Sequence, residues 1–179
     1  MAQRANGTWA EVLLSFVQRY PGVHLREIRR RLSIPIGTLD YHLYQLGRKG
    51  LIAVRFQGGY KCAFPETPVG FGTPIGEEEK RLLILLRQSV PRAILLQLYL
   101  DGPSPPTALA EEVNASAANL AYYLKRIEGA AVIVREGTGP TRIIRIADPK
   151  RIHEVLLRYP PLPEDSVDRF LRFWSDLHP

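Results

Sequence analysis

Leu39-Asp40-Tyr41-His42-Leu43 reads LDYHL, and 81 positions later Leu120-Ala121-Tyr122-Tyr123-Leu124 reads LAYYL. At the same offset Leu14 falls on Leu95, Ile28 on Leu109, Leu32 on Val113, Leu46 on Ile127, Leu51 on Val132, Ile52 on Ile133 and Gly58 on Gly139. That spacing is too long for a solenoid unit and marks a tandem duplication of one small domain. The 179 residues are therefore read as two copies of one fold.

Working outward from LDYHL, Thr8 and Glu11 form a capping-box pattern ahead of Trp9, Val12, Leu13, Phe16 and Val17, which recur at helical spacing. Pro21-Gly22 stops that helix. A second runs from about Leu25 to Leu32, Ser33-Ile34-Pro35 turns the chain, and a third runs from about Ile36 to Arg48 and ends at Gly50. Leu51 to Phe56 and Tyr60 to Phe64 then flank Gln57-Gly58-Gly59 as a β-hairpin. The order is helix, helix, turn, helix, hairpin.

Pro65, Pro68, Gly70, Gly72, Pro74 and Gly76 mark residues 65–76 as a linker, expected to let the two domains orient separately. Glu77, Glu78 and Glu79 open an inserted helix rich in leucine (Leu82, Leu83, Leu85, Leu86). The second copy follows. Pro91 is expected to start its first helix and Thr107 to cap its second; Asn114-Ala115-Ser116 is the turn and Ala117 to Ile127 the third helix. Val132 to Glu136 and Thr141 to Ile146 make its hairpin. Two amphipathic helices, Arg151 to Tyr159 and Asp165 to Leu177, complete the chain. The expected division is 1–64, 65–76, 77–148 and 149–179.

The charge is unevenly placed. Residues 1–64 carry 10 Lys/Arg against 3 Asp/Glu, residues 77–148 carry 9 of each sign, and residues 149–179 carry 5 of each. All of the basic excess lies in the first copy, which points to a polyanion facing that domain. On a helical wheel Ile36, Leu39, Leu43 and Leu46 share one side of the third helix, leaving Gly37, Thr38, Tyr41, Tyr44, Gln45 and Arg48 on the other. Hydroxyl, amide and guanidinium groups without a central carboxylate suit base edges and phosphates in a DNA major groove. Thr38, Tyr41 and Gln45 are the expected base contacts. Arg26, Arg29, Arg30 and Arg31 on the preceding helix, with Arg48 and Lys49, are placed to reach phosphates, as are Arg55 and Lys61 beside the hairpin tip. The second copy offers Asn119, Tyr122, Lys125, Arg126 and Arg142, but Glu111 and Glu112 replace Arg30 and Arg31 and should weaken its hold on DNA.

Other function classes find little support. His24, His42, His153, His178 and Cys62 share no ligand-like spacing, and no phosphate-binding loop, nucleophile elbow or zinc-protease motif occurs, so neither enzyme activity nor a metal or other cofactor is expected. One cysteine forms no internal disulfide, and no stretch reaches the length of a membrane span; a cytoplasmic, nucleoid-associated protein is expected. Val167, Phe170, Leu171, Trp174 and Leu177 form a terminal apolar stripe that either packs on its own chain or pairs two chains.

The stretch GTLDYHLYQLGRKGLIAVRFQGGYKCAF, residues 37–64, with Leu43, Leu46, Gly50, Leu51 and Ile52 in a Leu-x-x-Leu-x-x-x-Gly-Leu-Ile pattern, resembles the recognition helix and wing of prokaryotic winged helix-turn-helix regulators. Over residues 8–148 the chain resembles archaeal transcriptional regulators with two such domains in one polypeptide. The resemblance implies a mainly α fold with small β-wings (α+β), tandem winged helix-turn-helix domains plus C-terminal helices, and binding of double-stranded DNA. It departs from the pattern in the second copy, where Gly129-Ala130-Ala131 stands in place of Arg48-Lys49-Gly50. The alternatives are an architectural chromatin protein with little sequence preference and a protein-interaction adaptor.

Overall fold

The computed structural model describes residues 8–57, 59–66 and 74–162. In chain order the first unit comprises α1 (Trp9–Arg19), β1 (Val23–His24), α2 (Leu25–Leu32), α3 (Ile36–Arg48), β2 (Ile52–Gln57) and β3 (Tyr60–Pro65). The second comprises α4 (Glu77–Leu86), α5 (Ser89–Leu100), α6 (Pro106–Glu112), α7 (Ala117–Gly129), β4 (Ile133–Glu136) and β5 (Ile143–Ile146), followed by α8 (Pro149–Arg158). The protein is mainly helical with two small antiparallel sheets, a tandem winged helix-turn-helix architecture. The expected helix from Asp165 to Leu177 lies outside the described residues.

The offset of 81 carries through to the packing. Leu13, Val17, Ile28, Leu39, Leu43, Leu46, Ile52 and Ala63 are buried in the first unit, and Ile94, Leu98, Leu109, Leu120, Leu124, Ile127, Ile133 and Ile144 are buried at the matching positions of the second. Sheet register matches too: Ile52 faces Pro65 and Arg55 faces Cys62, as Ile133 faces Ile146 and Glu136 faces Ile143. The α2–α3 turn passes through a left-handed Ser33 (φ 50°), the α6–α7 turn through a left-handed Asn114 (φ 49°).

Thr8 and Glu11 make the capping box: Glu11 accepts from the Thr8 amide at 2.8 Å and Thr8 Oγ1 from the Glu11 amide at 3.4 Å. Two helix starts differ from expectation. α5 begins at Ser89, with Pro91 inside its first turn, and α6 begins at Pro106 with Pro105 at the cap, so Thr107 is already helical. Proline is tolerated in a first turn because its absent N–H has no intrahelical acceptor there. The strand β1 was not foreseen; its two residues are too few to alternate visibly, yet it closes a three-stranded sheet of order β1-β3-β2. Its counterpart in the second unit is the single bridge between Ser104 and Ile144, with N–H···O bonds of 3.0 and 2.8 Å. The second hairpin is also shorter than expected, since Gly139–Thr141 forms a 3₁₀ turn.

The two units do not stand apart. In α4 five consecutive residues, Leu82, Leu83, Ile84, Leu85 and Leu86, are buried, so apolar side chains leave this helix in every direction. Its surroundings come from both units: Cys62 and Phe64 of β3 join the second core, and Leu162, beyond α8, joins the first. Gly22, at φ +80°, lies where a Cβ would sit 3.2 Å from Leu83 Cβ and 3.3 Å from Phe64, so glycine meets both a backbone and a space requirement. Arg87, directly after α4, donates from Nε to the Pro21 carbonyl at 3.1 Å and from Nη1 to the Pro160 carbonyl at 2.7 Å, and its guanidinium lies over the Tyr20 ring. Burial lowers its pKa to about 10, which leaves it charged at neutral pH. The residues on either side of the 65–76 stretch thus pack against one another across the two units.

Two consequences are measurable. Gly50 (φ +65°) ends α3 in the left-handed region, and Ala131 (φ +57°) takes the same conformation after α7 with a Cβ that disfavours it. Ala131→Gly is expected to raise stability by about 0.5–1 kcal/mol in urea unfolding, and Gly50→Ala to lower it by a similar amount. Burial pushes the Cys62 thiol up to about 12, so the native protein should resist a disulfide-exchange reagent near pH 8 while the urea-unfolded chain reacts freely. Equal rates would remove Cys62 from the junction.

Candidate nucleic-acid interface

The exposed side of α3 presents Ile36, Gly37, Asp40, Tyr41, Tyr44 and Arg48. Tyr41 and Tyr44 are 59% and 62% exposed, too high for core tyrosines with only a hydroxyl at the rim, and the Arg48 guanidinium lies 6.0 Å from the Tyr44 ring centroid. Thr38 and Gln45 are half-buried at one flank, and Lys49 is exposed at the C-cap. Asp40 lies on the opposite flank, where its carboxylate would repel a phosphate but accept from a cytosine amine.

Pleat parity sorts the wing. Val54, Phe56 and Lys61 share one face; Arg55, Cys62 and Phe64 share the other. Val54 and Lys61 line a groove of about 490 Å³ against Asp40, Tyr44 and Arg48 of α3. Lys61 therefore joins the α3 face, whereas Arg55 lies on the face turned to α4, where it adds to the field that, after the Lys80 hydrogen bond, lowers the Glu77 pKa. Phe56 is 75% exposed on the Lys61 face and had not been singled out from sequence. Its signal was available: strict alternation from Ile52 puts Val54 and Phe56 together.

On α2, Arg26 and Arg29 are exposed. Arg30 reaches Glu27 with Nε at 3.0 Å and Nη2 at 2.6 Å, and Arg31 Nε reaches it at 2.5 Å. Burial alone would raise the Glu27 pKa, but these hydrogen bonds and charges outweigh it and hold the carboxyl below its usual range. The four arginines are thus offset by one firmly ionised carboxylate.

The corresponding face of the second unit is differently occupied. Asn119, Tyr122, Lys125 and Arg142 are exposed. Arg126, in contrast, donates to Gln88 Oε1 at 3.1 Å, lies over Tyr122 and Tyr123, and with Gln57 of the first wing lines a small hollow between the units. Arg135 pairs with Glu128 at 3.0 Å and Arg145 with Glu136. The histidines are scattered: His24 stacks on Tyr60, His42 lies edge-on to Tyr41, and His153 Nδ1 shares a 2.7 Å hydrogen bond with the Tyr99 hydroxyl. Among the described residues no helix is single-handedly long and apolar enough to cross a membrane.

Fold and site together define a tandem winged-helix protein whose exposed basic face lies on its first unit. No family model matches the chain. It is 23% identical over 134 residues to a protein of Methanocaldococcus jannaschii named uncharacterized HTH-type transcriptional regulator MJ1398; the match takes in 75% of this chain and 32% of that relative. The two are distant homologues, and the chain spans about a third of that relative's length. A chain in the crystal structure of the endosomal complex ESCRT-II (VPS22/VPS25/VPS36) aligns at 14% identity with a TM-score of 0.29, over 79% of this chain and 64% of that one.

One pH response follows from the junction beside α2. Burial lowers the His24 pKa below 6.5, Glu27 opposes this, and Arg126 adds to it; Arg26, Arg87 and Tyr60 line the same cleft. With the folded value below the unfolded one, the unfolded chain binds the extra proton first, so stability falls as pH drops through about 6.5 and levels off below the folded value. Urea midpoints should decline between about pH 7 and pH 5, and less so for His24→Gln. Parallel declines in both proteins would rule out His24 as the source.

Proposed function

We propose that the protein is a double-stranded DNA-binding transcriptional regulator that reads DNA with its first unit. In this reading α3 enters the major groove, Tyr41, Tyr44, Thr38 and Gln45 approach the bases, and Arg26, Arg29, Arg30, Arg48, Lys49 and Lys61 bear on phosphates. The groove between α3 and the wing straddles the sugar-phosphate backbone, with Arg48 and Lys61 on its two walls. The observation that carries the proposal is the asymmetry between the units. Arg29, Arg48 and Lys61 are exposed on the first, while Arg126, Arg135 and Arg145 are engaged within the second or at the junction. The name of the distant relative, an HTH-type transcriptional regulator, accords with this reading. Residues 1–64 form the reading domain, 77–148 a second domain of weaker DNA affinity, and 149–179 an extension through which a second copy could bring another head to a palindromic site inside the cell.

Fluorescence anisotropy across a salt series tests the proposal. Wild type should prefer some genomic fragments over random duplex, and its affinity should fall steeply with salt. Arg29→Ala and Arg48→Ala should each reduce the salt slope by about 1, while Arg145→Ala leaves it unchanged. Equal binding to all duplexes would make the protein architectural. No binding at roughly physiological salt would sink the DNA reading and turn attention to Phe56, Val54, Tyr41 and Tyr44 as a protein-docking face.

A further inference from the structure

A cleft of about 300 Å³ lies between the units, walled by His24, Arg26 and Tyr60 of the first and Arg87, Gln88 and Tyr123 of the second. Among the described residues, the buried side-chain nitrogen and oxygen atoms without a hydrogen-bond partner are His24 Nε2 and Arg87 Nη2. Both belong to the walls of this one cleft. Native folds leave few such groups; Arg87 Nη2 is a donor, and His24 Nε2 is one in the tautomer that carries its proton there, so the pair suits a ligand that accepts hydrogen bonds. Neither atom is open to solvent, so an acceptor in the cleft meets them only after a side-chain rotation, which for Arg87 has to keep or exchange its bonds to the Pro21 and Pro160 carbonyls.

The charge of the walls sets its sign. Arg26 and Arg87 are cationic. Glu27 also lines the cleft, but its oxygens are held by Arg30 and Arg31. The stacked His24 and Tyr60 rings, 4.5 Å apart and 14° from parallel, make a flat wall, and Tyr123 stands in the second unit's wall. We infer that the cleft binds a small organic anion, its carboxylate or phosphate head on Arg87, His24 and Arg26 and a planar body against Tyr60 and Tyr123. The volume lies at the low end for ligand sites, which limits the body to about one ring. Gln88 occupies the cap position of α5 and accepts from Arg126 of α7, and His24 immediately precedes α2; a ligand here touches the residue that starts α2 in one unit and the residue that starts α5 in the other. It also sets negative charge beside α2. Building on the proposed DNA reading, the bound anion weakens DNA affinity, making the cleft an effector site.

The test is a ¹⁵N-resolved NMR titration of the full chain, without DNA, using benzoate in one arm and inorganic phosphate in the other. Saturable shifts centred on His24, Tyr60, Gln88 and Tyr123, with Kd of the order of 1 mM or tighter, are expected for benzoate. Arg26→Gln should weaken binding by roughly tenfold, and Tyr123→Trp, which fills the cleft without removing a charge, should abolish it. Saturation by phosphate alone would assign the head as phosphate. Absence of saturable shifts in both arms, or shifts spread over Arg29 and other surface cations, would overturn the inference; because no DNA is present, that result is independent of the DNA reading. In a separate arm, saturating ligand should reduce duplex affinity by at least about fivefold, and unchanged affinity would overturn the effector role while leaving the site.

Discussion

Everything in this structure depends on finding cover for α4. Leu82 to Leu86 send apolar side chains around the whole circumference of the helix, and a single small domain offers only one face to lie on. Burying each leucine is worth about 1.5–3 kcal/mol relative to exposure, far more than an isolated linker helix could recover from its own hydrogen bonds. The chain therefore places α4 where two units can share it. Cys62 and Phe64 supply one side, α5 and α8 supply others, and Arg151 and Arg158 of α8 tether Glu78 and Glu79 at its start. Arg87 completes the joint by satisfying carbonyls from both ends of the chain.

Duplication gave two units with one packing plan, and the differences lie on their surfaces. Matching core positions kept apolar residues, because a lost methylene is felt in a close-packed interior. Outside the core the second unit has Glu111 and Glu112 where the first has Arg30 and Arg31, its Arg126 lies on Gln88, and a single bridge at Ser104 stands where the first unit has β1. Even its Ala131 keeps a left-handed backbone suited to the glycine of the first unit. In the second unit Arg126, Arg135 and Arg145 are turned to the neighbouring unit or to their own, and in the first Arg29, Arg48 and Lys61 stay on the surface.

Much of the fold could be read from the residues alone, for physical reasons. The capping box at Thr8, the helix stop at Pro21-Gly22 and the hairpins rest on local backbone chemistry, and the repeat rests on core positions that tolerate little. What escaped were features set by tertiary contact. β1 is defined by its partner β3, not by its own two residues. The proline-rich linker looked like a licence for independent motion, but the wing face it follows is half of an interface. The candidate site divided in the same way: Tyr41, Tyr44 and Arg48 are exposed as the wheel required, but Ile36, which the wheel set with Leu39, Leu43 and Leu46, is exposed because it opens the helix beyond the packed turns, and the orientations of Arg55 and Arg126 depend on where the other unit lies. Phe56 was legible by alternation, which sets it on the face of Val54, but its exposure depends on what packs on that face.

The wing is the part that binds these observations together. β3 is hydrogen-bonded on both edges, to β1 and to β2, and the sheet it centres is used on both faces. One face carries Val54, Phe56 and Lys61 beside α3; the other carries Cys62 and Phe64 into the second core. A two-residue period leaves no slack between these faces, since a register shift would exchange them. Any rearrangement at α4 or in the cleft beside His24 must therefore move the strand that positions Lys61, or the helix α2 that begins at the next residue. In this duplicated fold, the contact between units is mechanically continuous with the surface proposed to meet DNA.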